Sequence, residues 1–217
     1  MKLRGILFDM DGTLIDSEKY YVEGTYEWIQ RYGFKGKIDE VYSIIGTTID
    51  VTYEILAKLT NLSIFEVAKA NDDYFNIENP LNYAKIIYPE VKKCLKEFKD
   101  MGLKLALCTS SSRKEIDRFI NECGLEDIFD VVLGFEDIAL AKPNPEIYLK
   151  ALDKLNLDVD EAIIVEDSKE GIRAGINSNV YTFVRKDYRF NIDQSAGNAF
   201  IDNLNDLIEW VRSKING

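Results

Sequence analysis

Apolar and polar positions follow two rhythms along this chain. Ile6, Leu7 and Phe8 form an unbroken apolar run closed by Asp9 and then Gly12, the pattern of a buried strand that ends in a turn. Val91, Cys94, Leu95 and Phe98 fall instead at i, i+3, i+4 and i+7, with Pro89 ahead and Gly102 behind, which predicts a helix. The same reading predicts a second strand from Leu103 to Cys108 and a second helix over Ile116, Phe119, Ile120 and Cys123, stopped by Gly124. A short strand at Val131 to Leu133, a helix over Tyr148, Ala151, Leu152 and Leu155, and strands at Ala162 to Val165 and Val180 to Val184 complete the series. Strands alternating with helices predict an α/β fold, a doubly wound parallel sheet with helices on both faces. Such sheets bind ligands beyond the carboxyl ends of their strands. Polar residues gather at those ends: Asp9 and Asp11, then Thr109 to Ser112, then Glu166, Asp167 and Ser168.

The long segment from Ile15 to Tyr88 breaks the alternation. Ser63 with Glu66 makes a capping box, Val51, Ile55, Leu56 and Leu59 share one helical face, and Tyr20 to Gln30 is amphipathic. With only four prolines and no Ser/Gly-rich linker, a second domain is expected as an insert between core elements. The expected organisation is a catalytic core of residues 1–14 and 86–217, with a helical cap of residues 15–85 inserted after the first strand as a lid.

Composition narrows the chemistry. The 217 residues suit one domain with an insert, and 46% hydrophobic with 30% charged is ordinary for a soluble globular protein. The formal net charge of −11 argues against a nucleic-acid or anionic membrane partner, so an anionic substrate would need a local cationic site. No apolar stretch approaches the roughly 20 residues of a membrane span, and the first apolar run ends too early for a signal sequence, so a cytoplasmic protein is expected. The chain has no histidine, which excludes Ser-His-Asp and Cys-His catalysis and His-ligated zinc. Cys94, Cys108 and Cys123 are too scattered for a zinc knuckle or redox pair and are expected to be reduced, buried thiols. Carboxylate, Lys, Tyr or Cys must therefore do any acid/base or nucleophilic work.

Asp9 and Asp11 stand two residues apart just past a buried strand. Both can project into one pocket while Gly12 permits a close turn, so one carboxylate can serve as nucleophile and the other as acid/base. Cys108 and Arg113 resemble the Cys-x5-Arg loop of cysteine phosphatases but stand one residue too close, and Cys108 continues a strand. With Gly12 and Thr13 after the aspartates, Thr109 after the second strand, Lys142-Pro143 later and Glu166-Asp167 ending the fourth, the chain resembles the haloacid dehalogenase superfamily of aspartate-nucleophile phosphotransferases. The resemblance runs from Leu3 to about Val184 and implies a Rossmann-like core. It further implies that Asp9 is the nucleophile, Asp11 the acid/base, Thr109 a phosphoryl ligand and Lys142 the neutralising cation. Mg²⁺ would be held by Asp9, the Asp11 carbonyl and Asp167, with Glu166 in or beside that shell. An all-oxygen, carboxylate-rich site suits Mg²⁺.

Within that superfamily the chain is similar to the β-phosphoglucomutase-like branch, whose helical cap is inserted in this place. Three departures are visible. Tyr21 stands where the mutase has a cap histidine, Gly46-Thr47-Thr48-Ile49 replaces its Gly-x-x-Arg, and its later cap lysine aligns near Ala70, beside Lys69. Losing a bidentate arginine forfeits the clamp on a second phosphate. The expected activity is therefore Mg²⁺-dependent hydrolysis of a small phosphomonoester, a phosphorylated metabolite, by a monomer or weak dimer. A β-phosphoglucomutase-type sugar phosphomutase and a non-catalytic phosphate-binding scaffold are the alternatives. Candidate substrate contacts are Gly12, Ser17, Tyr21, Thr47, Ser110, Ser111 and Arg113, with Thr48, Ile49 and Ser112 beside them.

Overall fold

The computed structural model describes residues 2–190 and 192–215. The chain opens with β1 (Gly5–Phe8), followed by α1 (Ser17–Arg31), α2 (Ile49–Thr60), α3 (Ile64–Asp73), α4 (Tyr83–Ile86) and α5 (Val91–Asp100). It continues with β2 (Lys104–Cys108), α6 (Arg113–Cys123), β3 (Val131–Leu133), α7 (Glu146–Leu155) and β4 (Ala162–Glu166). Then come α8 (Lys169–Asn177), β5 (Tyr181–Arg185), β6 (Ala199–Ile201) and α9 (Leu204–Ile215). Two compact units result: one takes the chain up to Asp16 and again from Tyr83, the other is Ser17–Asn82.

In the first unit six parallel strands form one sheet in the order β3-β2-β1-β4-β5-β6. This is a doubly wound α/β fold. The chain winds outward from β1 to β3, then returns to place β4 on the other side of β1, so the carboxyl ends of β1 and β4 flank the switch point where such folds bind ligands. Register sets which side chain faces which layer. Leu7 pairs with Ala106 on β2 and Ile164 on β4. Because successive strand residues alternate faces, Leu7, Ala106, Cys108, Ala162 and Ile164 share one face and pack on Ile147, Tyr148, Ala151 and Leu152 of α7. Phe8 points the other way and stacks on Phe98 of α5 with ring centroids 6.1 Å apart. Val91, Cys94, Leu95 and Phe98 are all fully buried, and each large side chain of such a face contributes about 1.5–3 kcal/mol.

Local sequence explains the helix ends. Ser112 and Ser63 accept hydrogen bonds from the backbone N–H groups of Glu115 and Glu66, which reach back to close capping boxes on α6 and α3. Gly124 ends α6 in the left-handed conformation at φ 65°.

Several elements escape the periodicity reading. β6 has three residues with Phe200 half out of the core, too short to show alternation. α8 carries Gly171 and Gly175 in its interior, where helix propensity is poorest. The fifth strand runs one residue later than expected, from Tyr181 to Arg185.

The second unit is helical. Val22, Trp28 and Ile29 of α1 pack with Val41, Leu56, Val67 and Tyr74 into its core. Val51, expected on the buried face of α2, is exposed, and only Leu56 and Thr60 of that helix are buried. Gly24 admits the ring of Phe75, because a Cβ there would stand 2.6 Å from its edge. No helix among the described residues is long and apolar enough to cross a membrane.

Candidate active site

Strand parity delivers the acidic groups. Asp9 continues β1 on the face of Leu7, and its N–H donates to Val165 O at 3.0 Å, extending the ladder by one bond. Glu166, the last residue of β4, lies on the face of Ala162 and Ile164. Both carboxylates therefore point toward α7 and the loop before it, which carries Lys142.

The Lys142 ammonium joins them. Its Nζ donates to Asp9 Oδ1 at 2.5 Å, Glu166 Oε1 at 2.7 Å and Cys108 O at 3.1 Å, and the side chain is only 6% exposed. Glu166 is fully buried and fully engaged. Its Oε1 also accepts from the Tyr148 hydroxyl at 2.9 Å, and its Oε2 accepts from Asp167 N at 2.8 Å, Ser168 N at 3.0 Å and Ser168 Oγ at 3.1 Å. Asp167 Oδ1 accepts from Thr13 Oγ1 at 3.0 Å. Among the described residues, no donor reaches Asp9 Oδ2 or Asp167 Oδ2.

Two glycines leave room for this packing. Gly12 has φ 74°, and a Cβ there would stand 2.0 Å from Asp167 Oδ2. Gly171 in α8 faces Glu166 Oε1, which a Cβ would approach to 1.6 Å. Two other side chains pin the loop of Lys142. Glu146 accepts from Ala139 N at 3.0 Å and Leu140 N at 2.8 Å, and Asn177 Nδ2 donates to Pro143 O at 3.0 Å.

After β2, Thr109 is buried and its hydroxyl accepts from Ser111 N at 3.1 Å. Ser111 Oγ in turn donates to Asp11 Oδ2 at 2.9 Å, so the loops after β1 and β2 meet at Asp11. Ser110 is exposed. Arg113 begins α6, and its guanidinium pairs with Asp137 at 2.6 Å. The remaining sequence candidates belong to the helical unit. Ser17 is buried at the start of α1, Tyr21 is 42% exposed with its ring 5.3 Å from that of Phe75, and Thr47 Oγ1 bonds Ile44 O at 2.7 Å and Thr52 Oγ1 at 2.8 Å.

Electrostatics follow from three buried carboxylates close together, two of them on one ammonium. Burial pushes Asp9 up to about 8, with the charges of Glu166 and Asp11 adding to the rise and Lys142 opposing it. Asp167 rises well above the usual carboxylate range, first through burial and then through Glu166 and Asp9. Burial acts on Glu166 in the same sense, but the charge and hydrogen bond of Lys142 outweigh it and hold this carboxyl low. Burial would lower Lys142, yet Asp9 and Glu166 raise it, so it stays charged. The Cys108 thiol is pushed upward by burial and is inert as a nucleophile.

One ammonium does not neutralise the cluster. Asp9, Glu166 and Asp167 can each present a carboxylate oxygen within 4.8 Å of the others. An all-oxygen set that is buried, under-neutralised and left with two unpaired carboxylate oxygens fits a hard divalent cation such as Mg²⁺.

The sequence reading missed Tyr148, Gly171 and Gln194. Tyr148 reads in the sequence only as a core residue of its helix, and its hydroxyl role carries no periodic signal. Gln194 Nε2 donates to the Asp167 carbonyl at 2.7 Å from a loop without any motif.

Comparison with known proteins bears on the family and the fold. Residues 6–184 match the family model described as haloacid dehalogenase-like hydrolase. A phosphorylated carbohydrates phosphatase of Thermotoga maritima is 29% identical over 182 residues, covering 82% of this chain and 82% of that protein. The pyrophosphatase PpaX of Halalkalibacterium halodurans is 28% identical over 188 residues, covering 85% and 84%. The crystal structure of beta-phosphoglucomutase from Clostridium difficile shares the fold at a TM-score of 0.68 and 22% identity, covering 99% of this chain and 97% of that one.

Proposed function

The chain belongs to the haloacid dehalogenase-like hydrolase family, and from that premise we propose that it is a Mg²⁺-dependent phosphatase of small phosphomonoesters working through an aspartyl phosphate. The observation that carries this reading is the convergence of Asp9, Glu166 and Asp167 at the sheet's switch point, with Lys142 bridging Asp9 and Glu166. Phosphoryl transfer depends chiefly on positioning and charge stabilisation, and the cluster supplies both.

Asp9 Oδ2, which no donor among the described residues occupies, attacks phosphorus, while Lys142 opposes the upward push that burial gives the Asp9 carboxyl and offsets charge on the transferring group. The bond from phosphorus to the ester oxygen breaks, and Asp11 gives that oxygen its proton. Asp11 then takes a proton from water, whose oxygen displaces Asp9 and releases inorganic phosphate. Thr109 and the backbone amides after Asp9 and Thr109 receive the phosphoryl oxygens. Asp9, the Asp11 carbonyl and Asp167 would hold Mg²⁺, and Glu166, whose oxygens already accept five hydrogen bonds, orients Lys142 and Asp167 instead. When bound, the ion supplies positive charge opposite the phosphoryl oxygens.

Ser110, Ser111 and Arg113 of the core are assigned to the rest of the substrate, and Ser17, Tyr21 and Thr47 of the helical unit are the substrate contacts that the family resemblance implies. The phosphate-release reading is favoured over a mutase because the chain has no histidine and places Ile49 where a mutase has its clamping arginine. Relatives named for carbohydrate phosphates and for pyrophosphate define the panel to assay. The test is phosphate release with Mg²⁺ from sugar phosphates, nucleoside monophosphates, small organic phosphates and pyrophosphate, beside a glucose 1-phosphate mutase assay. Asp9→Asn is expected to abolish release. Activity retained in that variant would reject Asp9 as nucleophile, and equal turnover of β-glucose 1-phosphate to glucose 6-phosphate without phosphate release would establish the mutase instead.

A further inference from the structure

Behind the carboxylates, four buried residues close a ring of hydrogen bonds. Gln194, in the turn between β5 and β6, donates from Nε2 to Asp167 O at 2.7 Å and to Arg185 O at 2.9 Å. Arg185 NH1 donates to Thr13 O at 3.4 Å, and Thr13 Oγ1 donates to Asp167 Oδ1 at 3.0 Å. Thr13 is 0% exposed, Gln194 2%, Asp167 6% and Arg185 7%, so water competes for none of these bonds. Gln194 Oε1 also accepts from Asp187 N at 3.2 Å, which occupies the amide's two donors and its acceptor. The charge of Arg185 is met by Glu90 at 2.8 Å and by the ring of Tyr88, 3.5 Å below the guanidinium.

Asp167 lies one residue beyond the end of β4, where the strand ladder no longer fixes its peptide. Its N–H is held by Glu166 Oε2, its carbonyl by Gln194 and its carboxylate by Thr13, so its main chain and side-chain torsion are set before any cation arrives. We propose that Gln194 is a positioning residue for Asp167: through the ring it presets the carboxylate arm on which a divalent cation is held. This rests on the metal-dependent reading above. Outer partners of metal ligands act in this way, and their loss weakens metal binding by about 10–100-fold. Leucine at this position keeps the packing volume but strands two buried carbonyls. Glutamate keeps the bond from Asp187 N but, as a carboxylate, can donate to neither carbonyl.

The test uses the full chain without substrate and Mn²⁺ as probe, free Mn²⁺ being read by electron paramagnetic resonance. Wild type is expected to bind one Mn²⁺, and Asp167→Asn to abolish that binding. Gln194→Leu and Gln194→Glu are expected to weaken it at least about 10-fold. Leu207→Ala, which opens a cavity under α9 at a residue that makes none of the ring's hydrogen bonds, is expected to lower the unfolding midpoint while leaving Mn²⁺ affinity unchanged. Thr13→Val, which deletes the ring's hydroxyl at nearly constant volume, should weaken binding, and Thr13→Ser should restore it. Wild-type affinity in Gln194→Leu, equal affinity in the two Thr13 variants, or equal weakening by Leu207→Ala would overturn the positioning role while leaving the metal site standing. No Mn²⁺ bound by wild type, or unchanged binding in Asp167→Asn, would instead overturn the metal-dependent reading on which it rests.

Discussion

The Tyr148 hydroxyl donates to Glu166 Oε1 at 2.9 Å, the same oxygen that the Lys142 ammonium reaches at 2.7 Å. Tyr148 is a core residue of α7 by position, and its ring also lies 5.1 Å from Lys142 Nζ. One side chain thus fills the layer under the sheet and fixes the acidic cluster at its end. Tyr148→Phe keeps the ring and removes one donor from a buried, charged acceptor. Hydrogen bonds to charged groups contribute about 1.5–3 kcal/mol, so urea unfolding at pH 7 is expected to show a loss of that size. Glu166 keeps Lys142 and its three other donors, so the variant is expected to fold. Phosphate release should fall in kcat with KM little changed, because Tyr148 sits behind the cluster rather than in contact with substrate.

Replacing a glycine inside a helix with alanine ordinarily stabilises by about 0.5–1 kcal/mol. Gly171 of α8 is expected to reverse that sign, because its Cβ would stand 1.6 Å from Glu166 Oε1. The obstacle is a carboxylate held by five hydrogen bonds rather than the free end of a flexible chain. Gly171→Ala should lower the thermal unfolding midpoint and reduce activity together. A raised midpoint with full activity would show that Glu166 can move without consequence.

What the sequence displays and what it hides have physical causes. Asp9, Asp11, Thr109, Lys142, Glu166 and Asp167 stand out because polar groups that interrupt apolar strands are costly unless they do something there, and parallel-sheet topology gathers strand ends at one edge. Tyr148 is hidden because an aromatic residue at a helical apolar position has packing as a sufficient reason to be present. Gly171 is hidden because a glycine inside a helix signals weakness, and only the proximity of Glu166 gives it meaning. Gln194 lies 27 residues beyond the carbonyl it holds, in a loop whose place is set by β5 and β6. In the helical unit, the face shared by Val51 and Leu56 is legible, but its depth is not: Val51 stays exposed because the small core of that unit takes in Leu56, with Tyr53, Ala57 and Leu59 half-buried against it, and does not extend to Val51.

Glu146 gives a pH-dependent test of the loop that carries Lys142. Hydrogen bonds from Lys150, Ala139 and Leu140 hold its carboxyl down to about 2, against 4.5 for the free side chain. A carboxyl whose value is lower in the folded state stabilises that state above the unfolded value and loses the contribution as pH falls through the folded one. The extra stability of wild type over Glu146→Gln is therefore expected to be full above about pH 5, to shrink between about pH 4.5 and pH 2, and to vanish below. Urea midpoints of both proteins at pH 7, 4 and 2.5 measure this difference. A difference that stays constant across the series would show that the Glu146 bonds contribute nothing through its ionised form.

Among the described residues Lys142 is the single ammonium that contacts the acidic cluster, and removing it separates its structural and chemical roles. In Lys142→Met the chain length is kept, but Asp9 and Glu166 lose a cation that lies 2.5 and 2.7 Å away. Breaking a buried ion pair from one side costs about 3–5 kcal/mol, because the stranded charge stays desolvated. The variant should therefore unfold at a lower urea concentration without Mg²⁺. Added Mg²⁺ should recover a larger part of the loss than it contributes to wild type, since binding to the folded state alone stabilises by mass action. Activity should not return with the fold. Preorganised charge opposite a transferring group accounts for about 10²–10³ in rate, and the ion does not occupy the position of Nζ between Asp9 and Glu166. Lys142→Arg is expected to be no better, because a planar guanidinium does not fit a slot shaped for one compact ammonium with three acceptors. Stability and phosphate release are to be measured on the same samples across a Mg²⁺ titration. Recovery of both in parallel would show that Lys142 serves the fold alone.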